Sequence, residues 1–403
     1  MNNSAPGRLG ELAKLFFKLG VIGFGGPAAH IAMMESEVVK RRQWLTSEHF
    51  LDLIGATNLI PGPNSTEMAI HVGYIYAGWL GLIVSGVCFI LPAVLITTGF
   101  AWVYVAYGTL PLVAPLLYGI KPAVLAIIIN ALWRLGKKAV KTRKLLIIAL
   151  GVVALLLLLK LDEVIALLIG GLLGMVWLRT TDKDNPPEEQ ANLVFVGLTT
   201  GATLKAGAVG ATVATTSTAN VPLWQLAWFF LKIGSVLFGG GYVLVAFLQG
   251  GLVQEYGFLT QQQLLDAIAI GQFTPGPVLS TSTFIGYIIA GVPGAIVATV
   301  GIFLPSFFFV AALNPLIPRL RGSKWTKAFL DSINVSALAL MAVVTLQLGA
   351  ATLTVPKPPF VDFLAAAIAI VSAVLAIRSI NAPSLILGAA LIGWGAVLLG
   401  YTR

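Results

Sequence analysis

The chain has 403 residues, of which 58% are hydrophobic and only 10% are charged. Soluble domains carry about 25% charged residues, so this composition excludes a soluble protein and predicts an all-α polytopic membrane protein. One cysteine, Cys88, excludes an internal disulfide bond and CxxC chemistry. The net charge of +9 is informative through its placement along the chain.

The first half, residues 1–179, begins with a short polar stretch, and we expect no separate cleavable signal peptide there. Pro61-Gly62-Pro63 divides the segment 50–72, and two prolines do not fit inside one straight helix. We therefore expect a re-entrant hairpin or two half-helices there, which keeps the first half at five crossings. The expected spans, each near the ~20 residues that cross a bilayer, are 12–34, 79–104, 115–135, 145–159 and 164–178.

The second half, residues 223–403, repeats this order after a linker at 180–222. The linker is polar and acidic at its start, whereas residues 191–220 are rich in Gly, Ala and Thr and fit either a loop or an extra span. Residues 16–63 align with 230–277 without a gap, with 16 identities over 48 positions. A duplicated apolar unit with matched helix breakers is typical of transporters. The expected elements are 226–247, a hairpin at 264–284, 291–313, 328–348, 360–377 and 384–399.

The placement of basic residues predicts that the two halves are inverted-topology repeats. The loop 134–144 carries six Lys or Arg residues, whereas its counterpart at 347–355 carries none. Basic loops stay on the cytoplasmic side, so the halves should be related by a pseudo-two-fold axis in the membrane plane. The side of the N-terminus stays open. The preceding loops show the opposite bias, because 104–118 has no Lys or Arg and its counterpart contains Arg319, Arg321, Lys324 and Lys327.

Two charged positions are kept in both halves of the aligned region: Lys18 with Lys232, and Asp52 with Asp266. A lysine within apolar membrane sequence is costly and usually lines a cavity or has a partner. We predict that the two lysines face a bound anion. The alternative is that each reaches an interface or neutralises a nearby carboxylate. The aspartates begin the hairpins and are candidates for proton coupling; the alternatives are that they stabilise the helix starts or pair with the lysines.

Glycine pairs and the residues after the prolines are the other predicted substrate contacts. Paired glycines let a ligand approach the backbone, although they also allow close helix packing. Small polar residues after each Pro-Gly-Pro place a helix N-terminus inside the membrane, where such ends bind anions; packing kinks are the alternative. The predicted contacts of this kind are Gly25, Gly26, Asn64, Ser65, Thr66, Gly239, Gly240, Ser280 and Thr281.

Four titratable residues, Glu67, His71, His30 and Glu35, occur in the first half alone. Glu67 and His71 are four residues apart and share a helical face. A Glu or His inside a membrane is a candidate proton carrier. A polar contact at the membrane interface is the alternative for each of them.

Six motifs carry a resemblance to a known family. They are Gly23-Phe24-Gly25-Gly26-Pro27-Ala28-Ala29-His30, Arg41-Arg42-Gln43-Trp44-Leu45, Leu59-Ile60-Pro61-Gly62-Pro63-Asn64, Phe89-Ile90-Leu91-Pro92, Thr274-Pro275-Gly276-Pro277 and Phe303-Leu304-Pro305-Ser306. With these motifs the chain resembles the chromate ion transporter family, whose two-domain long form has this length and duplicated design. The second half departs from the pattern, because Gly241 replaces Pro27 and Leu244 replaces His30.

The resemblance implies a multi-pass protein of the bacterial cytoplasmic (inner) membrane that exports chromate, is coupled to the proton gradient and confers chromate resistance. Sulfate, nearly isosteric with chromate, is the alternative substrate. The residues leave an anion channel and an uptake transporter open. No enzyme is expected, because the chain has no HExxH, nucleophile motif or P-loop. The expected partners are the oxyanion and the lipid bilayer, with no cofactor, metal or nucleic acid; a homodimer stays open.

Overall fold

The computed structural model describes residues 5–24, 26–108, 110, 114–181, 221–238, 240–313, 323–354, 362–378 and 380–399, and nearly all of them are helical. Residues 182–220, which hold most of the predicted linker and its alternative extra span, lie outside the described residues. The α-helices are α1 (Ala5–Ile22), α2 (Gly26–Glu35), α3 (Ser47–Thr57), α4 (Asn64–Tyr107), α5 (Ala114–Ala139), α6 (Arg143–Leu158), α7 (Glu163–Thr181), α8 (Leu223–Val236), α9 (Leu244–Phe247), α10 (Gln261–Phe273), α11 (Thr281–Leu313), α12 (Lys324–Leu353), α13 (Phe363–Ile377) and α14 (Ala382–Leu398). Ser36–Arg41 and Leu248–Glu255 are π-helical, and Val278–Ser280 is a 3-10 turn.

Within the described part of the chain, five helices are long and apolar enough to cross a bilayer. They are Asn64–Tyr107, Pro115–Ala139, Glu163–Thr181, Val278–Ala312 and Lys324–Leu353. Three shorter apolar helices, α8, α13 and α14, accompany them. Large apolar side chains cover the outside of the molecule; Leu158, for example, is 79% exposed. These features confirm the predicted all-helical, polytopic membrane class.

The helices are broken at both Pro-Gly-Pro segments, as predicted, and also at both glycine pairs. In the first half α1 ends at Ile22 and α2 begins at Gly26, and in the second half α8 ends at Val236 and α9 begins at Leu244. The two Pro-Gly-Pro segments separate α3 from α4 and α10 from α11. Their glycines, Gly62 and Gly276, have φ of +140° and +91°. Only glycine adopts such angles without strain, which explains why each Pro-Gly-Pro segment, the tip of a hairpin, requires it.

Helices α4 and α11 each reverse direction and form two antiparallel arms. Ala77 and Gly78 leave helical geometry in α4, and an Ala-Gly pair does the same in α11. A Cβ on Gly73 would collide with the Ser85 side chain, although twelve residues of straight helix would separate the two positions by ~18 Å. The chain must therefore fold back, so the predicted hairpin at 50–72 continues directly into the predicted span at 79–104.

Glycine lets the first helix of each half pack at backbone distance against the long helix that follows. A Cβ on Gly20 of α1 would collide with Phe89 O of α4, and a Cβ on Gly234 of α8 would collide with Ile302 O of α11. In addition, α4 packs against α11, and α12 packs against α5, α6 and α7. The centre of the molecule is therefore built from both halves.

The corresponding helices α5 and α12 run antiparallel. Lys141 Nζ lies 3.3 Å from Asp331 Oδ1, which places the end of α5 beside the start of α12. At the opposite end, Tyr118 of α5 and Thr352 of α12 line one small pocket. The basic loop that follows α5 and the N-terminus of α12 consequently lie at the same end of the molecule.

Candidate functional site

Two backbone hydrogen bonds between the halves bring the four helix breaks together. Gly62 N–H donates to Leu237 O at 2.8 Å, and Gly276 N–H donates to Gly23 O at 2.7 Å. The two donors are 214 positions apart, and so are the two acceptors. The contacts are therefore equivalent, and each hairpin tip is bonded to the break in the first helix of the other half.

The start of α4 is shaped by the proline before it. Pro63 has an extended backbone, with φ −81° and ψ 101°, and no side chain caps the helix that begins at Asn64. The first amides of an α-helix have no intrahelical acceptor, and the helix dipole makes that end positive. Asn64 and Gly62 both line the cavity described next, so this positive end contributes to its wall.

A cavity of about 840 Å³ lies where the helix breaks meet α5 and α12. From Thr326 to Met341 it follows α12 over 15 residues, which is ~22 Å of helix and more than half of the ~30 Å hydrocarbon thickness of a bilayer. Its volume is far above the ~30 Å³ that one water occupies. An anion can therefore enter with its hydration shell. Polar and glycine residues of its wall include Thr57, Asn58, Gly62, Asn64, Gly240, Gly241 and Asn334.

The charged residues of the cavity wall are three lysines and one aspartate, Lys138, Lys141, Lys327 and Asp331, which sum to +2. Lys141 forms an ion pair with Asp331 at 3.3 Å. No ion pair is found for Lys138 or Lys327 among the described residues. Both are exposed, so they are available to a mobile anion. This arrangement attracts anions into a space between low-dielectric walls.

Lys18, predicted to face the anion, lies in a different cluster. Its ammonium group is 3.6 Å from Glu37, which also binds Arg41 at 3.2 Å and Arg42 at 3.3 Å. Burial acts to raise the pKa of the Glu37 carboxyl, but the hydrogen bond from Arg42 and the charges of Arg41 and Lys18 outweigh it and hold the pKa below its ordinary value. Lys18 is not a residue of the cavity wall.

Lys232, the second-half counterpart of Lys18, forms an ion pair of its own. Its ammonium group lies 3.4 Å from Asp162, at the start of α7, and both side chains are about one-third exposed or less. Lys232 also lies outside the cavity wall. Each of the two equivalent lysines thus has a carboxylate partner in this conformation.

The other predicted substrate contacts divide into lining and buried residues. Asn64 and Gly240 line the cavity, and Gly26 begins α2. Gly25 and Gly239 lie outside the described residues. The hydroxyl residues are packed behind the tips rather than in the wall: Ser65, Thr66, Ser280 and Thr281 are at most 3% exposed. The Thr66 and Ser280 hydroxyls have no hydrogen-bond partner among the described protein atoms.

Of the five candidates for proton coupling, Glu67 and His71 are the most isolated. Both are fully buried, and neither side chain has a hydrogen-bond partner among the described protein atoms. His30 Nε2 lies 2.9 Å from Gly23 O. Asp266 is buried and accepts a hydrogen bond of 2.8 Å from Tyr104, whereas Asp52 is exposed on α3.

Sequence reasoning missed the cavity lysines as site residues. The basic loop 134–144 was informative for topology, yet nothing in it separates Lys138, which lines the cavity, from its neighbour Lys137, which lies over the Trp133 ring at 4.7 Å. The inverted charge pattern itself held a signal. It predicts that this loop and Lys327 lie on one side of the membrane, where they can meet.

Comparison with known proteins identifies the family. The Chromate transporter family matches residues 10–175 and 224–394, one stretch in each half. A "Chromate transport protein" of Cupriavidus metallidurans is 33% identical over 96% of this chain and 92% of its own length. Proteins of Synechococcus elongatus ("Probable chromate transport protein") and Pseudomonas aeruginosa ("Chromate transport protein") are 33% and 30% identical over 85% and 95% of the chain, and over 84% and 91% of their own lengths. No solved structure gives a significant match. The chain therefore belongs to the chromate transporter family.

Proposed function

We propose that this protein is a secondary active transporter that exports chromate across the bacterial cytoplasmic membrane, is coupled to the proton gradient and confers chromate resistance. The observation that carries the proposal is the positively charged cavity. It runs from the end of the antiparallel helices α5 and α12 to the meeting point of the four helix breaks. The relatives named as chromate transport proteins favour chromate as the anion. Sulfate has the same charge and tetrahedral shape, so it is the expected competitor.

The cavity is an access path rather than the tight binding site. Stripping water from a dianion costs many kcal/mol unless donors and cations replace that water, and a space of about 840 Å³ is too wide to do so. Tight binding belongs where the tips meet, with main-chain N–H groups, Asn64 and Gly240 nearest the cavity. The hydroxyls of Ser65, Thr66, Ser280 and Thr281 join the site when the tips separate.

Two observations support the proposed inversion of the halves. The corresponding helices α5 and α12 run antiparallel, and the tip-to-break hydrogen bonds are reciprocal. With the basic loop 134–144 in the cytoplasm, the cavity opens to the cytoplasmic side, as an exporter requires for loading. Rocking of one half against the other, between units 1–179 and 223–403, then exposes the site to the outside.

Uptake of labelled chromate into inverted membrane vesicles tests this function. An exporter accumulates chromate in such vesicles when a proton gradient is imposed, and excess sulfate lowers the rate. Vesicles that lack the protein are the control. Chromate movement that merely equilibrates, with no response to the gradient, would instead indicate an anion channel. No movement above the control would reject chromate as the substrate.

A further inference from the structure

Glu67 is a buried carboxyl in the first turn of α4, directly behind the cavity wall. Its side chain is fully buried, and a Cβ on Gly62 would collide with both Glu67 Oε1 and Ser306 Oγ. Gly62 itself lines the cavity. The main chain of one glycine therefore lies between the carboxyl group and the space through which the anion moves.

Ser306 places the second half of the protein against this carboxyl. It belongs to α11 and is fully buried, and its hydroxyl lies, like Glu67 Oε1, beside the main chain of Gly62. The carboxyl thus sits at the boundary between the halves. A rocking motion that separates α4 from α11 would change its surroundings from apolar to wet.

Among the described residues, no cation faces the buried Glu67 carboxyl, and His71, one turn along the same helix, is itself buried without a charged neighbour. An unpaired carboxylate in such a place is very costly, so a carboxyl group there holds its proton. The titratable groups on the packed elements with contacts of their own are Glu11 (to Tyr76), Lys18 (to Glu37), His30 (to Gly23) and Asp266 (to Tyr104).

We propose that Glu67 is the residue that carries the coupling proton: it takes the proton up from the outside while the halves are rocked apart at Ser306, and it releases the proton to the cytoplasm when an arriving chromate moves the hairpin tip at Gly62. The inference rests on the proposed function and assigns one of its steps to a single side chain. Asp266, the buried carboxyl of the second half, is not the carrier, because Tyr104 already binds it. The proximity of Glu67 to Gly62 explains how proton binding and anion binding are linked: both depend on the position of the same hairpin tip.

Glu67→Gln in purified protein reconstituted in proteoliposomes tests the assignment. Glutamine keeps the size and neutral state of the protonated carboxyl but releases no proton. We expect exchange of labelled for unlabelled chromate at equal pH to stay within about twofold of wild type. Accumulation driven by a pH gradient should fall at least about tenfold. Asp266→Asn is the matched control, and it should keep the gradient response.

Three outcomes would overturn the assignment. The first is that Glu67→Gln still accumulates chromate in response to the pH gradient. The second is that Glu67→Gln, although monodisperse, loses chromate exchange as well as gradient-driven accumulation. The third is that Asp266→Asn loses gradient-driven accumulation to the same extent. If wild type exchanges no chromate at all, the proposed function fails instead.

Wild-type protein provides a test without a variant. Dicyclohexylcarbodiimide, which modifies protonated carboxyls in apolar surroundings, should label Glu67 and abolish gradient-driven transport. Loss of transport with the label on another carboxyl would contradict the proposal.

Discussion

Replacing Lys138 by glutamine is expected to raise the KM for chromate about fivefold at low ionic strength. A dianion that keeps one layer of water on its way through the cavity of about 840 Å³ lies roughly 8 Å from a charge in the wall. At this distance one positive charge contributes ~1 kcal/mol to the binding of a dianion in a medium as polar as water, which is a factor of ~5 in affinity.

Salt should weaken the effect in a predictable way. The Debye length is ~30 Å at 0.01 M salt but ~8 Å at 0.15 M, so screening at the higher concentration leaves roughly one-third of the interaction. The expected change in KM then falls to about twofold. The assay is the initial rate of labelled chromate entry into inverted vesicles, measured over a range of chromate concentrations at both ionic strengths.

Lys137→Gln is the matched control for this measurement. Lys137 precedes Lys138, lies in the same basic loop and is exposed, but it stacks on Trp133 and does not line the cavity. The two variants change topology signals and net charge equally. An equal rise in KM for both variants would refute the reasoning, because it would show that the cavity wall is not on the path of the anion. A change in KM that is insensitive to salt would refute it as well.

Three further predictions follow from named contacts. Asp331→Asn should lower the KM for chromate severalfold and Lys141→Met should raise it, while the double variant, which keeps the cavity charge at +2, should return near wild type in the vesicle assay. Gly62→Ala should cost about 2–4 kcal/mol of stability and abolish transport, because its φ is +140° and its Cβ meets the Glu67 carboxyl; Gly99→Ala, with open space at its Cβ, should be silent in thermal unfolding and transport. Lys18→Gln and Lys232→Gln test whether these two lysines contact the anion. If they do, each variant should raise the KM for chromate. An unchanged KM with lower thermal stability would show that the two lysines serve only in their ion pairs with Glu37 and Asp162.

The helix breaks were predictable because their causes are local. Proline removes a backbone donor and glycine permits positive φ, so both act wherever the residue lies. The reversal at Ala77 and Gly78 was harder to see, since a single glycine often continues a helix. Its φ of +66° shows afterwards that this glycine, too, was required.

The partners of charged residues were not predictable, because they depend on which distant elements meet. Asp162 lies 70 residues before Lys232, and no sequence pattern joins them. The same applies to the cavity: Lys138 and Lys327 belong to different halves and become neighbours only when α5 and α12 pack antiparallel. The similarity of the two halves pointed to the region around the helix breaks, whereas the individual contacts required the fold.

The two reciprocal contacts at the hairpin tips join main-chain atoms only, Gly62 to Leu237 and Gly276 to Gly23. A contact of this kind has no side chain to mutate, so it survives drift in almost every neighbouring residue. The two halves can therefore differ in their side chains while the contacts between them persist. In this way Glu67, His71 and His30 occur in the first half alone without a change in architecture. The geometry of these main-chain contacts is common to both halves, whereas the residues with a proposed function differ between them.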